Sequence, residues 1–77
     1  MKRDGEKRPN TAFSVNLKAL RSEHQVTQSQ IALVLGIDRS TYAYYETGKC
    51  EPTLATLIGI ADFFQVSLDQ LVGRGRF

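Results

Sequence analysis

Gly36 and Asp38 stand one residue apart in this 77-residue chain, and each marks a helix boundary. Glycine tolerates the left-handed backbone that ends helices and aspartate is a strong N-cap, so one helix stops and another starts with only Ile37 between them. Upstream, Thr27 and Gln30 have the spacing of a capping box, and Ile31, Ala32 and Leu35 supply an inward stripe. Downstream, a helix is predicted roughly from Arg39 to Thr47, with Tyr42 and Tyr45 three apart on one face and Gly48 at its end. Two helices joined this tightly must cross at a steep angle. Ile31, Leu35, Ile37, Tyr42 and Tyr45 fall where the pair buries its seam, and Ala32 is small where the helices approach.

The rest of the chain is read the same way. From Thr11 or Ser14, either able to cap, Phe13, Leu17 and Leu20 space out a first helix to about Glu23. Thr53 opens a fourth helix in which Leu54, Leu57, Ile58, Ala61 and Phe64 recur at helical spacing. Ser67 and Gln70 repeat the capping box before a short fifth helix that Gly73 closes. No alternating β-branched run suggests a sheet, so the class expected is all-α, with five helices. Residues 1–10 are charged, contain Gly5 and Pro9 and lack an apolar period, which is the composition of a disordered basic arm. The division expected is an arm over 1–10, one domain over 11–73 and a short tail over 74–77, since so short a chain cannot bury two cores.

Composition excludes more than it assigns. No run approaches the roughly 20 apolar residues of a membrane span, and the basic start lacks a signal peptide's apolar core. A soluble, cytoplasmic protein without membrane contact is expected. Lone Cys50 and lone His24 offer neither an internal disulfide nor a zinc ligand set, so no metal or cofactor is expected. With the scattered carboxylates they form no nucleophile, base or ligand grouping, and an enzyme is not expected. The formal net charge is +2. Lys2, Arg3, Lys7 and Arg8 outweigh Asp4 and Glu6, and Arg74 and Arg76 add to the excess, so the stretch between is net negative. Bulk charge therefore says little about a nucleic-acid partner, and only the placing of particular residues can point to one.

The segment QSQIALVLGIDRSTYAYYET has the sizes and polarities that a helix-turn-helix imposes at fixed offsets. With TQSQIALVLGI, STYAYYETGK, EPTLATLIGIADFF and VSLDQLVG in order, residues from about Phe13 to Gly73 resemble the lambda-repressor and Cro-like helix-turn-helix family, also called the Xre family. The resemblance implies a compact five-helix domain whose third helix enters the major groove of double-stranded DNA, usually as a homodimer on a palindromic operator.

Carried over position by position, the resemblance puts the family's base contacts on Arg39, Ser40 and Tyr44. An arginine can grip guanine O6 and N7 with two parallel hydrogen bonds, serine pairs with several base edges, and the methyl of Ala43 can meet that of thymine. The alternative for Arg39 and Tyr44 is an ordinary solvated helix face; Tyr42 and Tyr45 occupy seam positions and are read as core. Gln28 matches the family's phosphate-contacting glutamine, the amides near Thr27 and Gln28 favour anions, and Lys49 is the nearest cation for a neighbouring phosphate. Surface solvation is the alternative for Lys49. Arg21 and Glu46 match a structural ion pair of the family that ties the first helix to the end of the third.

Leu33 and Val34 depart from the family pattern, lying where it is commonly polar, and Ala55 and Gly59 soften the polar face of helix four. Leu33 and Val34 are candidates for a protein contact, as a homodimer seam or a dock for a second protein, unless the arm or the last helix covers them. The function expected is a sequence-specific transcriptional regulator, a repressor acting by operator occupancy. The competing readings are an antitoxin-type protein that also holds a toxin, and an interaction module that has kept the fold without binding DNA.

Overall fold

The computed structural model describes residues 11–74. The arm read over 1–10 and residues 75–77 of the tail lie outside the described residues. Within them the chain is all-α: α1 (Thr11–Glu23), α2 (Gln28–Leu35), α3 (Arg39–Thr47), α4 (Leu54–Phe64) and α5 (Leu68–Val72). None of these helices is long and apolar enough to cross a membrane.

Local chemistry sets most of the boundaries. At α2 the Thr27 hydroxyl accepts from the Gln30 amide at 3.0 Å, and the Gln30 carbonyl oxygen accepts from the Thr27 amide at 2.8 Å. The same reciprocal pair forms at α5 between Ser67 and Gln70, at 3.0 and 2.9 Å. Each cap contributes about 0.5–2 kcal/mol. Gly36 closes α2 at φ +73°, where a side chain would be strained. Asp38 stands at the N-cap of α3 in extended backbone, but its side chain makes no capping hydrogen bond. The α2–α3 turn is therefore held by Gly36, by the Ile37 amide donating to the Ala32 carbonyl, and by the packing beneath it. Ser14 lies within α1, buried, and its hydroxyl donates to the Tyr45 carbonyl at 3.0 Å.

One core draws on all five helices: Phe13 and Leu17 from α1, Ile31 and Ala32 from α2, Tyr42 and Tyr45 from α3, Ile60, Ala61 and Phe64 from α4, and Leu71 from α5. Each fully buried aliphatic side chain here, Leu17, Ile31, Ile60 and Leu71, contributes roughly 1.5–3 kcal/mol. The fourth helix differs from its sequence reading. Ile60 is fully buried, whereas Leu54 and Ile58 are 67% and 42% exposed. Nearly every position of LATLIGIADFF is apolar, so spacing alone does not fix which face turns inward; packing selects Leu57, Ile60, Ala61 and Phe64. Gly59 is likewise no part of a softened outer face, because a β-carbon there would lie 3.2 Å from Leu35 Cδ2, and its absence lets α2 and α4 close.

The last helix is pinned to the first. Asn16 Nδ2 donates to the carbonyls of Gln70 and Leu71, both at 3.2 Å, at the end of α5, where the Gln70 oxygen also accepts from the Gly73 amide. Gly73 has φ +81°, and a β-carbon on it would sit 2.7 Å from Ala12 Cβ. Only glycine fits. The α4–α5 corner instead puts an exposed glutamine, Gln65, at φ +58° in the left-handed region. Gln65→Gly should relieve the β-carbon strain and stabilise the protein by about 0.5–1 kcal/mol, net of glycine's greater unfolded freedom. Thermal melting should show this as a rise of roughly 2–8 °C.

Candidate nucleic-acid interface

The tight turn after α2 presents the start of α3 to solvent. Arg39 and Ser40 are exposed there, Tyr44 is exposed one turn on, and Ala43 is half-buried between them. Tyr42 and Tyr45, on the opposite face, are core. Lys49, past Gly48, places its ammonium 5.3 Å from the centre of the Tyr44 ring. That cation–π contact contributes about 0.5–1 kcal/mol and holds a positive charge beside the exposed face of α3.

At the start of α2, Thr27 is exposed and Gln28 half-buried. The amides of Thr27 and Gln30 are occupied by the capping box. Of the amides read as anion donors near Thr27 and Gln28, that of Thr27 is therefore already used, and the start of the helix offers those of Gln28 and Ser29.

Beneath this surface, Glu46 gathers four hydrogen bonds. Oε2 accepts from Arg21 Nε at 2.6 Å and from the Tyr42 hydroxyl at 2.6 Å; Oε1 accepts from Arg21 Nη2 at 3.3 Å and from Gln28 Nε2 at 3.1 Å. Arg21 Nη1 also donates to the Val26 carbonyl at 3.1 Å. The Glu46 side chain is only 4% exposed. Burial pushes its carboxyl up, but hydrogen bonds from Arg21, then Tyr42 and Gln28, outweigh burial and hold it below the ordinary range. The bond to Glu46 raises Arg21 further above its already high value. Burial foremost, then the carboxylate, pushes the Tyr42 hydroxyl up, so it remains a donor. Sequence reasoning paired Arg21 with Glu46 but missed Tyr42 as a partner, although a tyrosine and a glutamate four apart on a helix are neighbours.

A helix-turn-helix family model matches residues 17–71. The chain belongs to this helix-turn-helix family. Among its relatives, the uncharacterised HTH-type transcriptional regulator YqaE of Bacillus subtilis is 47% identical over 60 residues, covering 78% of this chain and 52% of that protein. The transcriptional repressor RstR of the cryptic phage CTXphi of Vibrio cholerae is 44% identical over 48 residues, covering 62% and 43%. The chain thus spans about half the length of such relatives. A crystal structure of a transcriptional regulator from Listeria innocua superposes with a TM-score of 0.78 at 38% identity, covering 84% of this chain and 61% of that one. The solution structure of the SOS-response repressor LexA from Eubacterium rectale gives 0.79 at 25% identity, covering 94% and 73%.

In this helix-turn-helix chain α2 and α3 form the unit, and Arg39, Ser40 and Tyr44 lie on its open side. Leu33 and Val34 are 82% and 63% exposed, so the last helix does not cover them; the arm lies outside the described residues.

The Glu46 network has a pH signature. A carboxyl held low when folded stabilises fully above its unfolded value of about 4.3, and the contribution is lost as pH falls through the lower folded value. The melting temperature of the native protein should therefore fall more steeply below about pH 4.3 than that of Glu46→Gln. Parallel acid limbs in the two melting profiles would assign the low value elsewhere.

Proposed function

We propose that this chain is a sequence-specific, operator-binding transcriptional regulator that represses by occupancy, reading the major groove with α3. The carrying observation is the exposure of Arg39, Ser40 and Tyr44 along α3 in a chain of the helix-turn-helix family. Arg39 grips guanine in bidentate fashion, Ser40 and Tyr44 bond neighbouring base edges, and the Ala43 methyl meets a thymine methyl. Gln28, Thr27 and Lys49 hold flanking phosphates. Arg21 and Glu46 fix the pose of α3 from beneath. The protein acts in the cytoplasm as a two-fold dimer on a palindrome, and neither catalysis nor a cofactor enters this reading.

The test is selection of duplexes from a randomised pool at physiological salt, where attraction to phosphate alone is weakened. The expected result is a palindrome with half-sites about 34 Å apart, one helical turn. No enrichment overturns the reading. A second reading rests on exposed Leu33 and Val34: an antitoxin-type or other protein-interaction module in which α2 seats a partner. An unchanged motif and oligomeric state in Leu33→Ser/Val34→Ser would speak against a homodimer seam there.

A further inference from the structure

Asp38 builds only half of an N-cap. Its backbone is extended, at φ −70° and ψ 148°, and its carbonyl accepts from the Tyr42 amide at 3.1 Å, so α3 starts as an aspartate cap would start it. The carboxylate takes no part. At Thr27, Thr53 and Ser67 the side chain accepts from the amide three residues on, but at Asp38 it does not. Arg39, next to it, turns to α2 instead, its Nη1 donating to Gln28 Oε1 at 3.2 Å. Asp38, Arg39 and Ser40 are thus three consecutive exposed residues at the start of α3, and the first of them carries an acceptor turned away from its own helix.

We propose that Asp38 is a specificity-determining residue whose carboxylate accepts from the N4 amine of a cytosine one base pair from the guanine that Arg39 takes, on either strand. This rests on the operator reading above. An ionised carboxylate only accepts, and the four bases differ in what they offer it in the major groove. Guanine shows two acceptors and thymine one, and both repel it. Adenine shows an amine beside N7, an acceptor. Cytosine shows an amine with no acceptor on that edge, so Asp38 selects it largely by rejecting the other three bases. Phosphates repel the carboxylate as well. An aspartate here therefore weakens attachment to DNA of any sequence, and the N4 hydrogen bond offsets that weakening only where the cytosine is present.

The test is duplex selection with the native protein and with Asp38→Asn, followed by competition binding at the adjoining positions. Asparagine keeps the size and the capping preference of aspartate, so the start of α3 is retained, and the melting temperatures check this. It replaces an acceptor-only group by an amide, which suits adenine N6 and N7. In Asp38→Asn the preference for cytosine should fall roughly three- to thirtyfold, with adenine gaining, while unrelated duplexes bind more tightly. Arg39→Ala should leave the cytosine preference in place; its loss there would make that preference a property of Arg39 and overturn the proposal. Tighter binding of Asp38→Asn to all duplexes with base preferences unchanged would make Asp38 a repulsive charge only, and a lowered melting temperature with preferences unchanged would make it a cap only. Either overturns the proposal. A native motif with no cytosine at an adjoining position overturns it too, leaving the operator reading intact, whereas no motif at all with the native protein removes both.

Discussion

Replacing Arg21 by methionine is expected to cost about 2–4 kcal/mol, a fall in melting temperature on the order of 10–20 °C. Methionine fills much of the same volume, so the loss comes from charge. Glu46 would keep the Tyr42 and Gln28 hydrogen bonds but lose both bonds from the guanidinium, leaving a nearly buried carboxylate without its counter-ion. The penalty sits below that of a fully buried pair because Arg21 keeps about a fifth of its side chain in solvent (21%). Arg21→Met/Glu46→Leu should be more stable than Arg21→Met alone, since removing both charges strands neither. The single variant also changes the pH dependence. Without Arg21, the Glu46 carboxyl loses its largest lowering partner and titrates higher than in the native protein, so the deficit relative to the native protein should shrink as pH falls and Glu46 protonates. Denaturant unfolding at neutral and acid pH checks both statements; an Arg21→Met variant within 0.5 kcal/mol of the native protein at neutral pH would contradict them.

The largest effect on recognition should come from Arg39→Ala. A bidentate arginine–guanine pair discriminates by about 1–3 kcal/mol, so binding to the selected operator should fall roughly 5- to 150-fold, with preference relaxed at one position of each half-site. Affinity for unrelated duplexes should change far less. Lys49→Ala should behave in the contrary way, weakening all sequences alike and reducing the salt slope by about one charge. Competition binding against single-base operator variants at two salt concentrations separates the two roles.

What the sequence discloses and what it hides divide along contact distance. Both capping boxes were legible because their partners are three residues apart, as was the Gly36 stop, which needs only a backbone conformation. Tyr42 and Tyr45 as core followed from the seam of two closely joined helices. The inner face of α4 was not legible, because an almost wholly apolar helix has no polar side from which to set its phase; Ile60 became core only through packing against the other helices. Asn16 reaches carbonyls 54 and 55 residues away, and no local pattern points to such a bond. The same holds for Gly59, whose missing side chain matters only because Leu35 lies against it. At the candidate interface, resemblance supplied residue names and the Arg21–Glu46 pair, but not the hydrogen bonds that Tyr42 and Gln28 make to Glu46. That Gln28 stands between Glu46 and Arg39 depends on α2 meeting both ends of α3, and α1 enters only through Arg21, which holds Glu46.

The close approach of Gly73 to Ala12 means that the helical body starts and finishes in one place, with a β-carbon on Gly73 only 4.0 Å from the Ala12 Cα. Chain order is then separable from architecture. A circular permutant that joins Arg74 to Thr11 through a short linker and opens the loop after α3 would keep every helix pair it now has. The same body spliced into a surface loop of a host protein would enter and leave through almost a single point, sparing the host the distortion that widely spaced attachment sites impose.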